Sequence, residues 1–245
     1  MTILTKTVIP VLRQGLIRRQ RLLDILYRSL DRKLILVTAA AGYGKTSLLV
    51  DFAHDTEFPV CWLTLDEDDR DPGTFLTGVA ASIAQRFPAF GEMTRTALAS
   101  GAPAEEAVGI LINELIVRVP EFFALVLDDY HLADTPTVGR VMGRLLRFLP
   151  DHTRLILSGR TLPDVDLIHL AAKQEIAALV PEELCFTPCE TAAFMERNCD
   201  RPVETAEAEV LTQTMAGWVT GIVLATQPVT RHLMPQLQST EGALD

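Results

Sequence analysis

Apolar residues in this chain fall into short uncharged runs separated by longer stretches with a three-to-four-residue hydrophobic period. The runs at 34–39, 60–65, 122–127 and 153–158 are rich in Leu, Ile, Val and Phe and read as strands buried on both faces. Between them lie amphipathic segments. Leu22, Leu23, Leu26 and Leu30 mark a helix over 18–30, and Leu48, Leu49 and Phe52 mark another over 44–54. A third helix starts at Asp71-Pro72, a cap followed by a residue suited to the first helical position, with Phe75, Val79, Ile83 and Phe87 on one face. Further helices cover 105–119 (Val108, Leu111, Ile112, Leu115) and 136–149 (Val141, Leu145, Leu146). A shorter helical piece at 165–173 leads to a fifth strand region at 176–180 and 184–186, while 88–104 reads as an irregular connection. Strands alternating with helices predict an α/β fold with a parallel sheet covered on both faces.

The pattern changes at Thr187. Thr187-Pro188-Cys189-Glu190 has the form of a capping box with proline at the first helical position, and only helices follow, at 188–198, 204–216 and 218–227. The expected organisation is an N-terminal segment 1–33, an α/β domain 34–186, a helical domain 187–228 and a tail 229–245 that is the truncated start of a further domain.

Composition narrows the class. With 245 residues, 48% hydrophobic, the chain holds one large α/β domain plus a small helical one. The net charge is −10, unevenly spread: residues 1–33 carry eight Lys/Arg against Asp24 and Asp31. The acidic remainder argues against direct DNA binding by this chain, and Arg18, Arg19 and Arg21 read as a solvated helix face. Cys61, Cys185, Cys189 and Cys199 form no CxxC pair, so reduced thiols and a cytoplasmic location are expected, with Cys61 in the core. No apolar run approaches the length of a membrane span and no signal peptide is visible. The acidic stretch 66–71 lacks calcium-loop spacing and reads as a solvated loop.

Three constellations carry chemistry. The first follows the strand at 34–39: Ala41, Gly42, Tyr43, Gly44, Lys45, Thr46 and Ser47, a glycine loop opening a helix. Backbone N–H groups and the helix dipole there favour an anion, Lys45 adds a full charge, and Thr46 offers a hydroxyl to magnesium. Ala39 stands where the pattern usually has its first glycine. The second is Asp128-Asp129 at the end of an apolar strand, at the rim where ligands of open α/β sheets bind. Asp128 suits a magnesium anchor through water and Asp129 a group that orients or deprotonates attacking water; alternatively the two acids cap the next turn. The third is Ser158-Gly159-Arg160, whose arginine faces the terminal phosphate if the strand at 153–158 lies between those at 34–39 and 122–127. A plain surface arginine is the other reading. Arg140, Arg144 and Arg147 share one helical face and read as solvated, and His131 reads as packing or hydrogen-bonding locally rather than acting as a base.

Together these residues resemble the nucleotide-binding module of the STAND class of signal-transduction ATPases, in particular the large LuxR-type regulators of the MalT kind. The resemblance rests on Ala39-x-Ala41-Gly-Tyr-Gly-Lys-Thr46, Trp62-Leu-Thr-Leu-Asp-Glu67, Leu127-Asp-Asp-Tyr-His131, Leu157-Ser-Gly-Arg160 and Gly217-Trp218. It implies a P-loop NTPase of the ASCE type with strand order 5-1-4-3-2, and an upstream segment, here Ile17-Arg18, touching adenine. It also implies ATP/ADP and Mg2+ as ligands, self-association in the ATP state, and slow hydrolysis that resets a switch. Regulators of this kind continue into a sensor and a DNA-binding domain, so this chain resembles an amino-terminal fragment, with inducer and DNA bound elsewhere. Two departures are visible: Ser-Gly-Arg replaces Ser-Arg, and Val219 stands where many relatives have proline. The expectation is an ATP/ADP switch at the core of a transcription activator; a small-molecule kinase with the arginine face as lid, or a non-hydrolysing nucleotide-binding scaffold, are the alternatives.

Overall fold

The computed structural model describes residues 4–12, 15–198 and 203–226; Cys199 and the tail 229–245 lie outside the described residues. Five parallel strands form the sheet: β1 (Leu34–Thr38), β2 (Val60–Thr64), β3 (Phe123–Asp128), β4 (Thr153–Gly159) and β5 (Ile176–Leu179). Their spatial order is β2-β3-β4-β1-β5. Every pairing is parallel, so each connection must cross over a face, and the helices cover both. The near-continuous burial along β1 to β4 is what an apolar strand enclosed on two sides requires.

One face is covered by α1 (Gln20–Arg28) and α2 (Lys45–Asp55). Leu22, Leu23 and Leu26 of α1 meet Leu49 and Phe52 of α2 over Ile35, Trp62 and Ile156 of the sheet. The other face carries α3 (Pro72–Ala84), α4 (Glu92–Ala99), α5 (Ala104–Arg118) and α6 (Pro136–Phe148). There Phe75, Val79, Leu111 and Leu145 pack on Leu36, Leu63, Leu125 and Leu157. Alternate strand residues thus serve the two cores, as the period-2 pleat demands. A short α7 (Leu167–Ala172) leads into edge strand β5, followed by a single turn, α8 (Pro181–Leu184). The helical annex comprises α9 (Pro188–Asn198), α10 (Thr205–Thr214) and α11 (Val219–Thr226) around Phe186, Phe194 and Ile222. At its start the capping box forms: the Thr187 N–H donates to Glu190 and the Glu190 N–H to the Thr187 hydroxyl.

Four expectations are corrected. Residues 88–104 are not irregular, because α4 forms there with its N-terminus capped from outside. The buried Glu114 carboxylate of α5 accepts from the N–H groups of Gly91, Met93 and Thr94 and from the Thr94 hydroxyl. The segment 184–186 is not a strand: Pro181 has no N–H to extend the ladder and starts a helical turn instead. The acidic stretch is a 3-10 turn, Glu67–Arg70, in which Asp69 is buried and both Asp66 and Asp69 pair with Lys6.

The fourth concerns Arg19 and Arg21, which do not form a solvated face. Arg19 is buried, donates to the carbonyls of Leu184 and Cys185, stacks over Phe186 and pairs with Glu190 of the annex. Arg21 reaches the same carboxylate. Of the three arginines only Arg18 keeps a largely open side chain, bonded to Asp55.

Candidate functional site: a phosphate loop roofed by the helical annex

The loop between β1 and α2 turns through two left-handed glycines, Gly42 at φ +83° and Gly44 at φ +78°, a region that only glycine enters without strain. Ala39, by contrast, keeps a negative φ, which is why alanine can stand at that end of the loop. Its N–H bonds the Gly159 carbonyl, fixing the loop's start to β4. Lys45, only 7% exposed, folds back over the loop and donates to the Ala39 and Ala40 carbonyls at 2.7 and 2.9 Å. Burial pulls its ammonium below the usual lysine range, and the carboxylates of Asp129 and Asp128 oppose that fall.

Register brings the other groups to the same level. β4 lies between β1 and β3, with Thr38 paired to Gly159 and Leu127 to Leu157. Asp128, 1% exposed, therefore sits beside the loop and accepts a 2.9 Å hydrogen bond from the Thr46 hydroxyl. Its Oδ1 and the neighbouring Ser158 Oγ are buried without a hydrogen bond of normal geometry. Burial pushes the Asp128 carboxyl above its ordinary range, against the opposing effect of the Ser158 and Thr46 hydroxyls. A buried carboxylate oxygen and hydroxyls grouped in this way form the hard-oxygen set that suits Mg2+. Among the described residues no cluster of three or more His, Cys, Asp or Glu forms a complete cage.

Asp129 follows at φ +57°, a left-handed backbone that costs an Asp about 1 kcal/mol or more and turns it out of the strand. It lines the cleft with Lys45 and Arg160. His131 stands 3.9 Å from the Asp129 carboxylate, and burial lowers its imidazole below the usual histidine range. Both of its ring nitrogens are buried without a hydrogen-bond partner, so it packs locally but does not hydrogen-bond there.

The cleft has two lobes that share Leu12, Leu16, Gly44, Ser47, Val219 and Val223. The polar lobe gathers Ala41, Gly42, Lys45, Thr46, Asp129 and Arg160. The other, about 390 Å³, is walled by Ile17, Arg18, Leu48, Asp51, Phe186 and Phe194, a size and character suited to a flat heterocycle. Of the residues singled out from the sequence, Tyr43 and Asp128 line neither lobe: Tyr43 packs toward the α1–α2 core, and Asp128 lies buried behind Thr46. Arg140, Arg144 and Arg147 are exposed on α6, outside the cleft.

The annex closes the top: Trp218 Nε1 donates to the Ala41 carbonyl at 3.1 Å, and the Thr220 N–H and hydroxyl donate to the Gly42 carbonyl. Sequence reasoning missed Phe186, Phe194, Val223 and Thr220. Their only signal was apolar or small character, at the end of the α/β domain for Phe186 and in a segment that looked like a separate domain for the other three.

A five-stranded parallel sheet with β4 inserted between β1 and β3, and a glycine loop from β1 into a helix, defines a P-loop NTPase fold of the ASCE type. No protein-family model matches the chain. It is 30% identical over 218 residues to the HTH-type transcriptional regulator MalT of Cronobacter sakazakii and, to the same extent, to that of Yersinia enterocolitica. Each alignment covers 88% of this chain and 24% of the relative, so the chain spans about a quarter of the length of the curated relatives it matches.

Among solved structures, the fold is similar to a signal-transduction ATPase with numerous domains and a tetratricopeptide-repeat sensor from Pyrococcus horikoshii. That match has a TM-score of 0.55 and 14% identity, covering 89% of this chain and 30% of that one. It is also similar to a Walker-type ATPase of Pyrococcus abyssi (TM-score 0.52, 14% identity, 96% and 79% coverage). The Orc1 protein of Aeropyrum pernix, solved in complex with DNA, matches at TM-score 0.52 with 16% identity, covering 89% and 59%.

Proposed function

We propose that this chain is an ATP/ADP-binding switch with slow ATPase activity, the cytoplasmic regulatory core of a transcription activator that self-associates in its ATP state. The observation that carries the reading is the convergence of Lys45, Thr46, Asp129 and Arg160 from three adjacent strands at one cleft roofed by the annex, with buried Asp128 bonded to Thr46 behind it. In this reading the N–H groups from Ala41 to Ser47 and the Lys45 ammonium bind the phosphates. Ile17, Arg18 and the ring walls of Phe186 and Phe194 hold the base. Thr46 and Asp128 would hold Mg2+, which would supply charge to neutralise the phosphates.

Asp129 aligns the attacking water and takes its proton, while Arg160 faces the terminal phosphate. Similarity to MalT supports the regulatory role, and the exposed position of the α6 arginines, away from the cleft, removes the motive for a kinase lid. Inducer and DNA would be bound by segments other than these. Among the described residues no helix is long and apolar enough to cross a membrane.

Binding is tested with Lys45→Ala. Titration calorimetry should find Mg-ADP bound by the wild-type chain and lost by the variant; a variant that keeps wild-type affinity would remove Lys45 and the phosphate loop from the account.

A further inference from the structure

Resting on the nucleotide-binding reading above, one contact has a consequence for how the phosphate loop gains its shape. Ala41 and Gly42 turn their carbonyls toward the annex, where Trp218 Nε1, the Thr220 N–H and the Thr220 hydroxyl accept the role of donors at 3.1, 2.9 and 3.1 Å. The chain has no cis peptide among the described residues, and in a trans peptide the carbonyl and the next N–H point in opposite directions. The N–H groups of Gly42 and Tyr43 are therefore aimed away from the annex. Among the described residues neither enters a backbone hydrogen bond. The fit is close: a Cβ on Gly42 would meet Thr220 Oγ1 at 2.6 Å and Trp218 Nε1 at 2.7 Å.

We propose that Trp218 and Thr220 are positioning residues of the phosphate site, holding the 41–42 and 42–43 peptides so that their N–H groups face the diphosphate. A free glycine peptide rotates easily; three donors from the annex select one of its two faces. Because these donors lie on α11 and the turn before it, the anion nest is complete only while the annex is seated. Phosphate binding and annex seating then favour each other to the same degree, as linkage requires. Val219, between the two donors, lines both lobes of the cleft, so the same turn touches the nucleotide space directly.

The test separates positioning from simple docking. Trp218→Phe keeps a ring but removes the donor, Thr220→Val keeps shape but removes the hydroxyl, and Thr220→Ser keeps the hydroxyl as a rescue. Affinities of the full chain for ADP, inorganic pyrophosphate and adenosine are measured by calorimetry and ligand-observed NMR. The expected result is a loss of up to about tenfold for ADP and pyrophosphate in Trp218→Phe and a smaller loss in Thr220→Val. Adenosine binding should stay within about twofold and Thr220→Ser should match the wild type. Unchanged ADP and pyrophosphate affinities, or an equal loss for adenosine, overturn the proposal while leaving the nucleotide site intact. A wild-type chain that binds neither ADP nor pyrophosphate overturns the nucleotide reading itself.

Discussion

At the scale of single residues, the cleft is governed by how charge is buried. Asp128 is 1% exposed and burial holds its carboxyl above the ordinary range, yet one of its oxygens is bonded to Thr46 and the other, beside Ser158, has no hydrogen bond of normal geometry. A buried carboxylate left in that state costs stability that a cation would recover. Asp129 is the opposite case, more exposed, turned outward by its left-handed backbone and beside Lys45 and Arg160. The two neighbouring acids therefore divide into a buried carboxylate and an accessible one, which is the division the proposed roles of metal anchor and base require.

Asp129→Asn should bind ATP as the wild type does while phosphate release falls by two orders of magnitude or more, within the range general-base catalysis contributes. Unchanged release of phosphate would remove Asp129 from the chemistry. The position of this pair was readable because an apolar strand ending in two acids puts them at the sheet's rim whatever else the fold does. The partner of Arg19 was not, since Glu190 lies 171 residues along the chain.

At the scale of elements, the annex is tied down by ions as much as by its small apolar core. Glu190 caps α9 and receives Arg19 and Arg21 from the segment around α1. Burial alone would raise its carboxyl, but the Thr187 N–H and the two guanidinium groups outweigh that and hold it below the usual glutamate range. A carboxylate depressed in this way adds stability above its unfolded pKa and loses it as pH falls through the folded one.

Glu190→Ala strands the buried Arg19 without a counter-ion, and we expect a loss of about 3 kcal/mol in annex stability at neutral pH. Trp218 fluorescence during urea unfolding reads it out. The wild type should approach the variant as the medium becomes acidic; equal midpoints at neutral pH would show that the ion pair holds nothing. Helix periodicity placed the annex helices within a few residues, because each buries one stripe. It missed α4, whose cap comes from Glu114 on another helix and leaves no local trace.

At the scale of the whole molecule, the sheet order sets where the cleft lies and the annex roofs it, and the proposed switch rests on that roof. The strand order followed from a resemblance carried by motifs, since alternation of strands and helices predicts a parallel sheet but not its order. The roof was less legible. A domain boundary near 187 makes the annex look independent, whereas the fold brings its α11 turn onto the loop after β1 and its α9 onto Arg19.

For a switch, nucleotide must favour one annex position. Moving the balance from 1:99 to 99:1 needs a preference of about 10⁴, or about 5.5 kcal/mol, between states. If that preference is real, size-exclusion chromatography with light scattering should find larger species with ATP than with ADP; a single mass under both nucleotides would remove self-association from this chain.

The most direct measurement is the nucleotide released when the purified chain is denatured, identified by ion-exchange chromatography. A resting switch closed by its annex predicts close to one ADP per chain. A chain that releases none, and that exchanges added ADP as fast as an open site, would contradict it.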